Sequence, residues 1–155
     1  MALKLADIKC EIREVRLKNK PNHMLKISPK GTVPVLILEN RVIHESIEII
    51  DWVIENNQIF DVNLSDINIQ LTEETINIFD NQFKYHLDRY KYSTRYKDID
   101  VQDHQKQCMN ILKSLDMKIA NSRWFIGDNL NKLDISILPF IRQFRIADSQ
   151  WFDEQ

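Results

Sequence analysis

Short apolar stretches separated by polar turns fill the first third of the chain. The apolar residues of segment 8–17 alternate with charged ones, beginning Ile8-Lys9-Cys10-Glu11, which predicts a strand. The dense apolar run 33–38 predicts a second strand, and 42–43 predicts its hairpin partner across a polar turn. Pro34 falls within that second strand. Because proline has no N–H to donate, it belongs at a strand start, at an edge or in a cis bond.

Helical patterns separate and follow these strands. Pro21 predicts the start of a short helix over 23–27. A longer helix is predicted from Ser46 to about Asn56, because apolar residues recur at spacings of three and four. Its predicted buried face consists of Ile47, Ile50, Val53 and Ile54. The polar segment 58–70 then predicts a connection, so the chain divides near residue 60 into a mixed part and a helical part.

The remainder of the chain has a helical period. One helix is predicted over 72–92 and another over 103–121, each with a single apolar stripe. The two stripes consist of Ile76, Phe79, Phe83, Leu87 and Tyr90, and of Cys108, Ile111, Leu112, Leu115 and Ile119. A last helix is predicted to begin at Asn131, where Asp134 completes a capping box and Leu130 and Ile135 form a hydrophobic staple.

Composition narrows the class of protein. The chain has 155 residues, of which 43% are hydrophobic and 28% charged, with a formal net charge of −2. These values are typical of a soluble globular protein and favour neither a nucleic-acid nor a membrane partner. Because no apolar run approaches the roughly 20 residues of a membrane span, and the first residues lack an apolar signal segment, we expect a cytoplasmic location.

The cysteines and histidines predict no metal site. Cys10 and Cys108 lie far apart, without the close spacing of metal ligands, and the four histidines are scattered. Cys10 falls in the first predicted strand and Cys108 on a helix stripe, so both are predicted to be reduced, buried core thiols.

Two groups of residues carry a family resemblance. The segment Ser28-Pro29-Lys30-Gly31-Thr32-Val33-Pro34-Val35-Leu36, with Ile43-His44-Glu45-Ser46-Ile47 after it, resembles the cis-proline strand and Glu-Ser motif of glutathione S-transferases of the bacterial, omega- and beta-like kind. Trp124-Phe125-Ile126-Gly127-Asp128 and the capping box after it are similar to the helical domain of that family. The resemblance implies an α/β plus all-α fold. An incomplete thioredoxin-like domain (1–57) would be followed by a linker (58–70) and a helical domain (71–155).

The resemblance also implies a glutathione site. Glu45 would pair with the γ-glutamyl ammonium, while Ser46 and the amides of the helix it starts would take the adjacent carboxylate. A cis bond at Pro34 would turn the Val33 backbone towards the cysteinyl unit, and Lys20 would meet the glycine carboxylate. Glutathione is therefore the expected co-substrate, with no metal.

No residue of this chain is predicted to be catalytic. In the family, the catalytic Cys, Ser or Tyr loop precedes a segment similar to Met1-Ala2-Leu3-Lys4, so we expect the first strand, that loop and the final helices to lie outside this sequence. A start codon assigned too late, a gene remnant and a product that repairs the gap by swapping or dimerising remain open.

Two functions follow from the resemblance. The full-length parent would transfer glutathione to a small hydrophobic or electrophilic substrate, or perform thiol/disulfide-type reduction, as a homodimer. The alternative is a catalytically inactive binding or interaction module, or a truncated remnant. For this chain as written, the binding module has the better claim, because no catalytic residue can be assigned.

Overall fold

A computed structural model describes residues 1–57, 64–119 and 122–155. The chain divides into two compact units, Met1–Phe60 and Asp61–Gln155. The first is mixed and the second is helical, and each is described separately below. No helix of the described residues is long and apolar enough to cross a membrane.

The first unit contains three helices and one hairpin. The helices are α1 (Ala2–Leu5), α2 (Asn22–Ile27) and α3 (Ser46–Asn56), and the strands are β1 (Leu36–Ile37) and β2 (Val42–Ile43). The strands pair antiparallel, with Leu36 opposite Ile43. The predicted hairpin and both predicted helix positions are therefore confirmed.

The core of this unit is small. Its buried apolar residues are Ala2, Met24, Ile43, Ile49, Ile50 and Val53. On α3, Ile50 and Val53 are buried as predicted, but Ile49 is buried where the prediction had Ile47 and Ile54, which are half-buried. The buried stripe is thus rotated around the helix relative to the predicted one.

The strand predicted over residues 8–17 does not form. Residues 8–16 have no regular secondary structure, Cys10 is exposed, and Ile12 is 82% exposed. A strand exists only with a hydrogen-bonded neighbour, and no ladder partner for this segment is found among the described residues. The predictions of a strand here and of a core position for Cys10 are both wrong.

The second predicted strand is shorter than its apolar run. Only Leu36–Ile37 of the predicted 33–38 pairs in the ladder. The Val33–Pro34 bond is cis, and Pro34 has no N–H to donate. Regular pairing accordingly begins beyond the proline.

The helical unit has the order helix, π turn, helix, 3₁₀ turn, helix, helix, helix. Its elements are α4 (Asp66–Ile78), the π turn (Phe79–Phe83), α5 (Lys84–Lys91), the 3₁₀ turn (Ser93–Arg95), α6 (Val101–Ile119), α7 (Lys132–Ala147) and α8 (Ser149–Asp153).

Two boundaries differ from the prediction. The helix predicted from residue 72 begins at Asp66, inside the predicted connection 58–70, of which 58–63 lie outside the described residues. Periodicity missed this start because residues 66–71 bury no apolar side chain: Ile67 is 76% exposed and Ile69 is 44% exposed. The first buried positions of the helix are polar, Thr72 and Thr75. The Thr72 hydroxyl donates to the Asn68 carbonyl oxygen at 2.8 Å, which satisfies it inside the helix. The helix predicted over 103–121 runs from Val101 to Ile119, and residues 120–121 lie outside the described residues.

An aromatic cluster forms the core of this unit. Phe79 and Phe83 stack with ring centroids 4.6 Å apart, and the Phe144 ring of α7 meets Phe83 edge-on at 5.8 Å. Leu87 and Cys108 are buried in the same cluster, as the two predicted stripes require. Edge-on and offset aromatic pairs of this kind stabilise a core beyond the area they bury.

The predicted capping box at α7 is confirmed. The Leu133 amide donates to Asn131 Oδ1 at 2.9 Å, and the Asn131 amide donates to Asp134 Oδ2 at 2.8 Å. The second carboxylate oxygen of Asp134 accepts from the Phe125 amide at 2.9 Å, which ties the preceding loop to the helix start. Asn131 and Asp134 are both fully buried, so this cap is part of the core.

Candidate functional site

A turn over residues 28–31 is tied to the start of α3 by two side-chain contacts. His44 Nδ1 lies 3.0 Å from Ser28 Oγ, and Ser28 is fully buried. Lys30 Nζ lies 2.8 Å from Glu45 Oε1, in an exposed ion pair. Residues separated by about fifteen positions along the chain are thereby brought to one place.

Lys20 reaches the same turn. Gly31 has a φ of +61°, and an added Cβ there would lie 3.1 Å from Leu25 Cδ2 and 3.3 Å from Lys20 Nζ. Only glycine combines this left-handed conformation with so close an approach of side chains. The Lys20 ammonium therefore lies directly against the Gly31 backbone.

Glu45 and Ser46 occupy the N-terminus of α3. Glu45 is the N-cap residue, with an extended backbone, and its side chain makes no capping hydrogen bond. Ser46 is the first helical residue, as predicted. The first amides of a helix have no partner within that helix and carry its positive end, which suits an anion.

Val33 and Pro34 follow the turn as exposed residues. Val33 is 47% exposed, and Pro34 is also exposed. Both residues are thus accessible at the position where the sequence predicted contact with an extended ligand.

Sequence reasoning missed the contributions of Lys30 and Gly31 to this site. For Lys30, the distribution of charged residues along the sequence gives a signal. Residues 15–38 contain five basic residues (Arg16, Lys18, Lys20, Lys26 and Lys30) and no acidic one. Such a segment favours an acidic ligand.

Comparison with known proteins shows what the chain is similar to. Residues 1–58 match the family model described as glutathione S-transferase, N-terminal domain. The chain is 27% identical over 150 residues to a probable glutathione S-transferase, parA, of Nicotiana tabacum, and 29% identical over 147 residues to a second, MSR-1, of Nicotiana plumbaginifolia. The chain is therefore similar to glutathione S-transferases, through the family model over residues 1–58 and at lower identity over most of its length. It spans 66% of the length of each of these two relatives, which in turn cover 93% of it.

Solved structures show the fold of this chain. A glutathione transferase family member from Pseudomonas fluorescens, crystallised with two glutathione bound, has a TM-score of 0.81 at 14% identity and covers 97% of this chain and 73% of its own. Glutathione transferase Omega 3C from Trametes versicolor has a TM-score of 0.75 at 18% identity, and the match covers 95% of this chain and 67% of that one. The predicted combination of a thioredoxin-like unit and a helical unit is thereby confirmed.

Among the described residues, no group of three or more potential metal ligands is found. Cys108 is fully buried, and burial raises the pKa of its thiol to about 12. A thiol in that state is protonated and unreactive at neutral pH.

Proposed function

We propose that this chain binds glutathione through Lys20, Val33, Pro34, Glu45 and Ser46. The observation that carries the proposal is the clustering of Lys20, the Gly31 turn and Glu45 at the start of α3, inside the segment that matches the family model. Glutathione presents an ammonium next to a carboxylate at its γ-glutamyl end. Glu45 is complementary to the ammonium, and the first amides of α3 are complementary to the carboxylate.

The same arrangement offers partners for the other two residues of glutathione. The Val33 backbone would pair with the cysteinyl unit as an added strand, and Lys20 would meet the glycine carboxylate. The excess of basic residues in 15–38 supports this, because glutathione carries a net negative charge at neutral pH.

Calorimetry of glutathione binding tests the assignment. We expect saturable binding to the wild-type chain and a loss of about tenfold in affinity for Glu45→Ala, since a charge-assisted contact is removed. Glu39→Ala removes the same charge from the exposed β1–β2 turn and serves as the matched control. Equal affinities for the two variants, or no binding by a chain shown to be folded by circular dichroism, would overturn the proposal.

For the reaction, we propose transfer of glutathione to a small hydrophobic electrophile, or thiol/disulfide-type reduction, in the full-length protein. The alternative is a binding module without catalysis. The buried, protonated state of Cys108 supports the alternative for this chain, and no residue is assigned as catalytic. Assays of the purified chain with glutathione and a chromogenic electrophile, and with glutathione and a mixed disulfide, separate the two. Binding without turnover supports the module, and turnover supports the transferase.

We also propose a homodimer in the cytoplasm, by analogy with the family. Light scattering after size-exclusion chromatography tests the dimer: a mass of one chain across the accessible concentration range would contradict it. Imaging of a tagged chain in its native cell tests the location.

A further inference from the structure

All four tyrosines of the chain and a group of cations lie together around the end of α5. Residues 84–97 contain Tyr85, Tyr90, Tyr92 and Tyr96, together with Lys84, Arg89, Lys91, Arg95 and Lys97, and the only acidic residue among them is Asp88. This local charge contrasts with the net charge of −2 for the whole chain. The segment belongs to the helical unit, so it is distinct from the residues assigned to glutathione.

The Arg89 guanidinium is held between two tyrosine rings. Its central carbon lies 3.4 Å from the centroid of the Tyr85 ring and 4.7 Å from the centroid of the Tyr96 ring. Tyr85 precedes Arg89 by one helical turn, whereas Tyr96 returns to it through the 3₁₀ turn. Cation–π contacts on both rings hold a side chain that is otherwise flexible.

The edge of this guanidinium is left available. Nη1 donates to the Tyr85 carbonyl oxygen at 3.2 Å, while Nε and Nη2 donate to no acceptor in the described part of the chain. Two of the carboxylates that follow the segment are engaged elsewhere: Asp100 accepts from the Gln102 and Asp103 amides, and Asp103 accepts from Gln107. Among the ion pairs of the described residues, none includes Arg89 or Arg95.

A second stacked cation lies on the same segment. The Arg95 guanidinium carbon is 4.1 Å from the centroid of the Tyr92 ring, and Lys91 Nζ is 5.1 Å from the same centroid. Arg89 and Arg95 are therefore both stacked on tyrosines and form no ion pair with a carboxylate among the described residues.

We propose that Arg89, held between Tyr85 and Tyr96, is a binding site for the oxyanion group of a small molecule, a carboxylate or a phosphate. A guanidinium whose faces are fixed by rings presents its N–H donors in plane, in the fork that such oxyanions match with two parallel hydrogen bonds. The proposal does not rest on glutathione binding, because its residues lie in the helical unit.

His86 provides an independent reporter of occupancy. His86 Nδ1 lies 2.8 Å from His104 Nδ1, and the Tyr85 ring contacts both imidazoles. Burial first, then His104 and Arg89, lower the pKa of His86, while Asp103 raises it. An anion bound to Arg89 would offset the effect of that guanidinium, so the pKa of His86 should rise when the site is filled.

The experiment titrates the folded chain with inorganic phosphate and, separately, with benzoate at constant ionic strength, following the Arg side-chain Nε–H and His ring resonances by NMR. We expect saturable shifts of Arg89 and a raised pKa of His86 for at least one probe. The probe that saturates identifies the group as phosphate or carboxylate. No saturable shift with either probe would overturn the proposal.

Matched variants distinguish binding of the anion at Arg89 from general electrostatic attraction of the anion to the protein. Arg89→Lys keeps the charge but loses the planar fork, and we expect it to weaken binding about tenfold. Arg142→Lys makes the same change at an exposed arginine of α7 and should leave the affinity unchanged. Tyr96→Leu keeps every charge and should weaken binding less than Arg89→Lys does. Equal affinities for the two lysine variants, both shown to be folded, would overturn the proposal.

Discussion

Lys30 and Glu45 form an ion pair across the candidate glutathione site, with Lys30 Nζ 2.8 Å from Glu45 Oε1. The hydrogen bond to Glu45 raises the pKa of Lys30. The pair occupies the carboxylate that we assign to the ammonium of glutathione. Lys30 therefore competes with the ligand for Glu45.

Replacing Lys30 tests this competition. We expect Lys30→Gln to tighten glutathione binding by about threefold in calorimetry, since an exposed pair contributes less than about 1 kcal/mol. Lys26→Gln removes the same charge from an exposed position on α2 and corrects for the weaker general attraction of an anion. If Lys30→Gln binds glutathione more weakly than Lys26→Gln does, Lys30 is itself a ligand contact and the competition is refuted.

The two glycines of the chain form a natural pair for a second prediction. Both have positive φ, +61° at Gly31 and +72° at Gly127, but an added Cβ would crowd Leu25 and Lys20 only at Gly31, whereas nothing lies within 4 Å at Gly127. Each Gly→Ala variant should lose about 1 kcal/mol of unfolding free energy from backbone strain, measured by urea denaturation.

Only Gly31→Ala should also change glutathione binding. Its methyl group must displace the Lys20 side chain, so we expect a loss of several-fold in affinity that Gly127→Ala does not share. Equal glutathione affinities for the two variants would show that the position of Lys20 does not matter for binding.

Local signals in the sequence predicted the helices well, whereas pairing between segments was not predictable. The α7 cap depends on residues three positions apart, so Asn131 and Asp134 could be read directly. A strand depends on a partner that the alternation of Ile8, Cys10 and Ile12 does not identify, and that segment remained irregular. For the same reason Cys10 was predicted to be buried and is exposed.

The candidate site was predictable only in part. Glu45, Ser46 and Lys20 were all assigned through the family resemblance, and periodicity independently predicted only that a helix starts at Ser46. The ion pair of Lys30 with Glu45 joins residues fifteen positions apart, and the approach of Lys20 to Gly31 depends on how the intervening α2 folds back. Such contacts are set by the tertiary structure and leave no periodic trace in the sequence.

The two cysteines should differ sharply in reactivity. Cys10 is exposed, while Cys108 is fully buried with a pKa raised to about 12, so a disulfide reagent should modify one thiol in the folded chain and two in denaturant. Cys10→Ser should abolish the reaction of the folded chain. Rapid reaction of two thiols under native conditions would contradict the buried position of Cys108.

The His86–His104 contact predicts a dependence of stability on pH. The pKa of His86 is lowered in the folded state by burial and by His104, so between the unfolded value of 6.5 and the folded value the unfolded chain binds more protons. Unfolding free energy should therefore fall as pH decreases below about 6.5. His104→Gln should flatten that decrease in urea titrations at several pH values. A profile identical to that of the wild type would show that His104 does not contribute to the lowered pKa of His86.

The buried cap at α7 should matter more to stability than the exposed cap at α8. Asp134 accepts from two backbone amides, those of Asn131 and Phe125, and is fully buried. Asp148 accepts from one, that of Trp151 at 3.0 Å, in an exposed position. Removing Asp134 leaves two amides without their acceptor inside the protein, so Asp134→Ala should cost about 3 kcal/mol of unfolding free energy, against about 1 kcal/mol for Asp148→Ala.

Asn131 belongs to the same cap, so a double-mutant cycle with Asp134 can measure how strongly the two residues are coupled. Asn131→Ala alone should cost about 1 to 2 kcal/mol, and the double variant with Asp134→Ala should cost less than the sum of the two, because each residue holds the other's backbone in place. Urea denaturation of the four proteins of this cycle measures the coupling free energy. Equal costs at Asp134 and Asp148, or strict additivity within the cycle, would mean that the reciprocal hydrogen bonds add nothing beyond two independent caps.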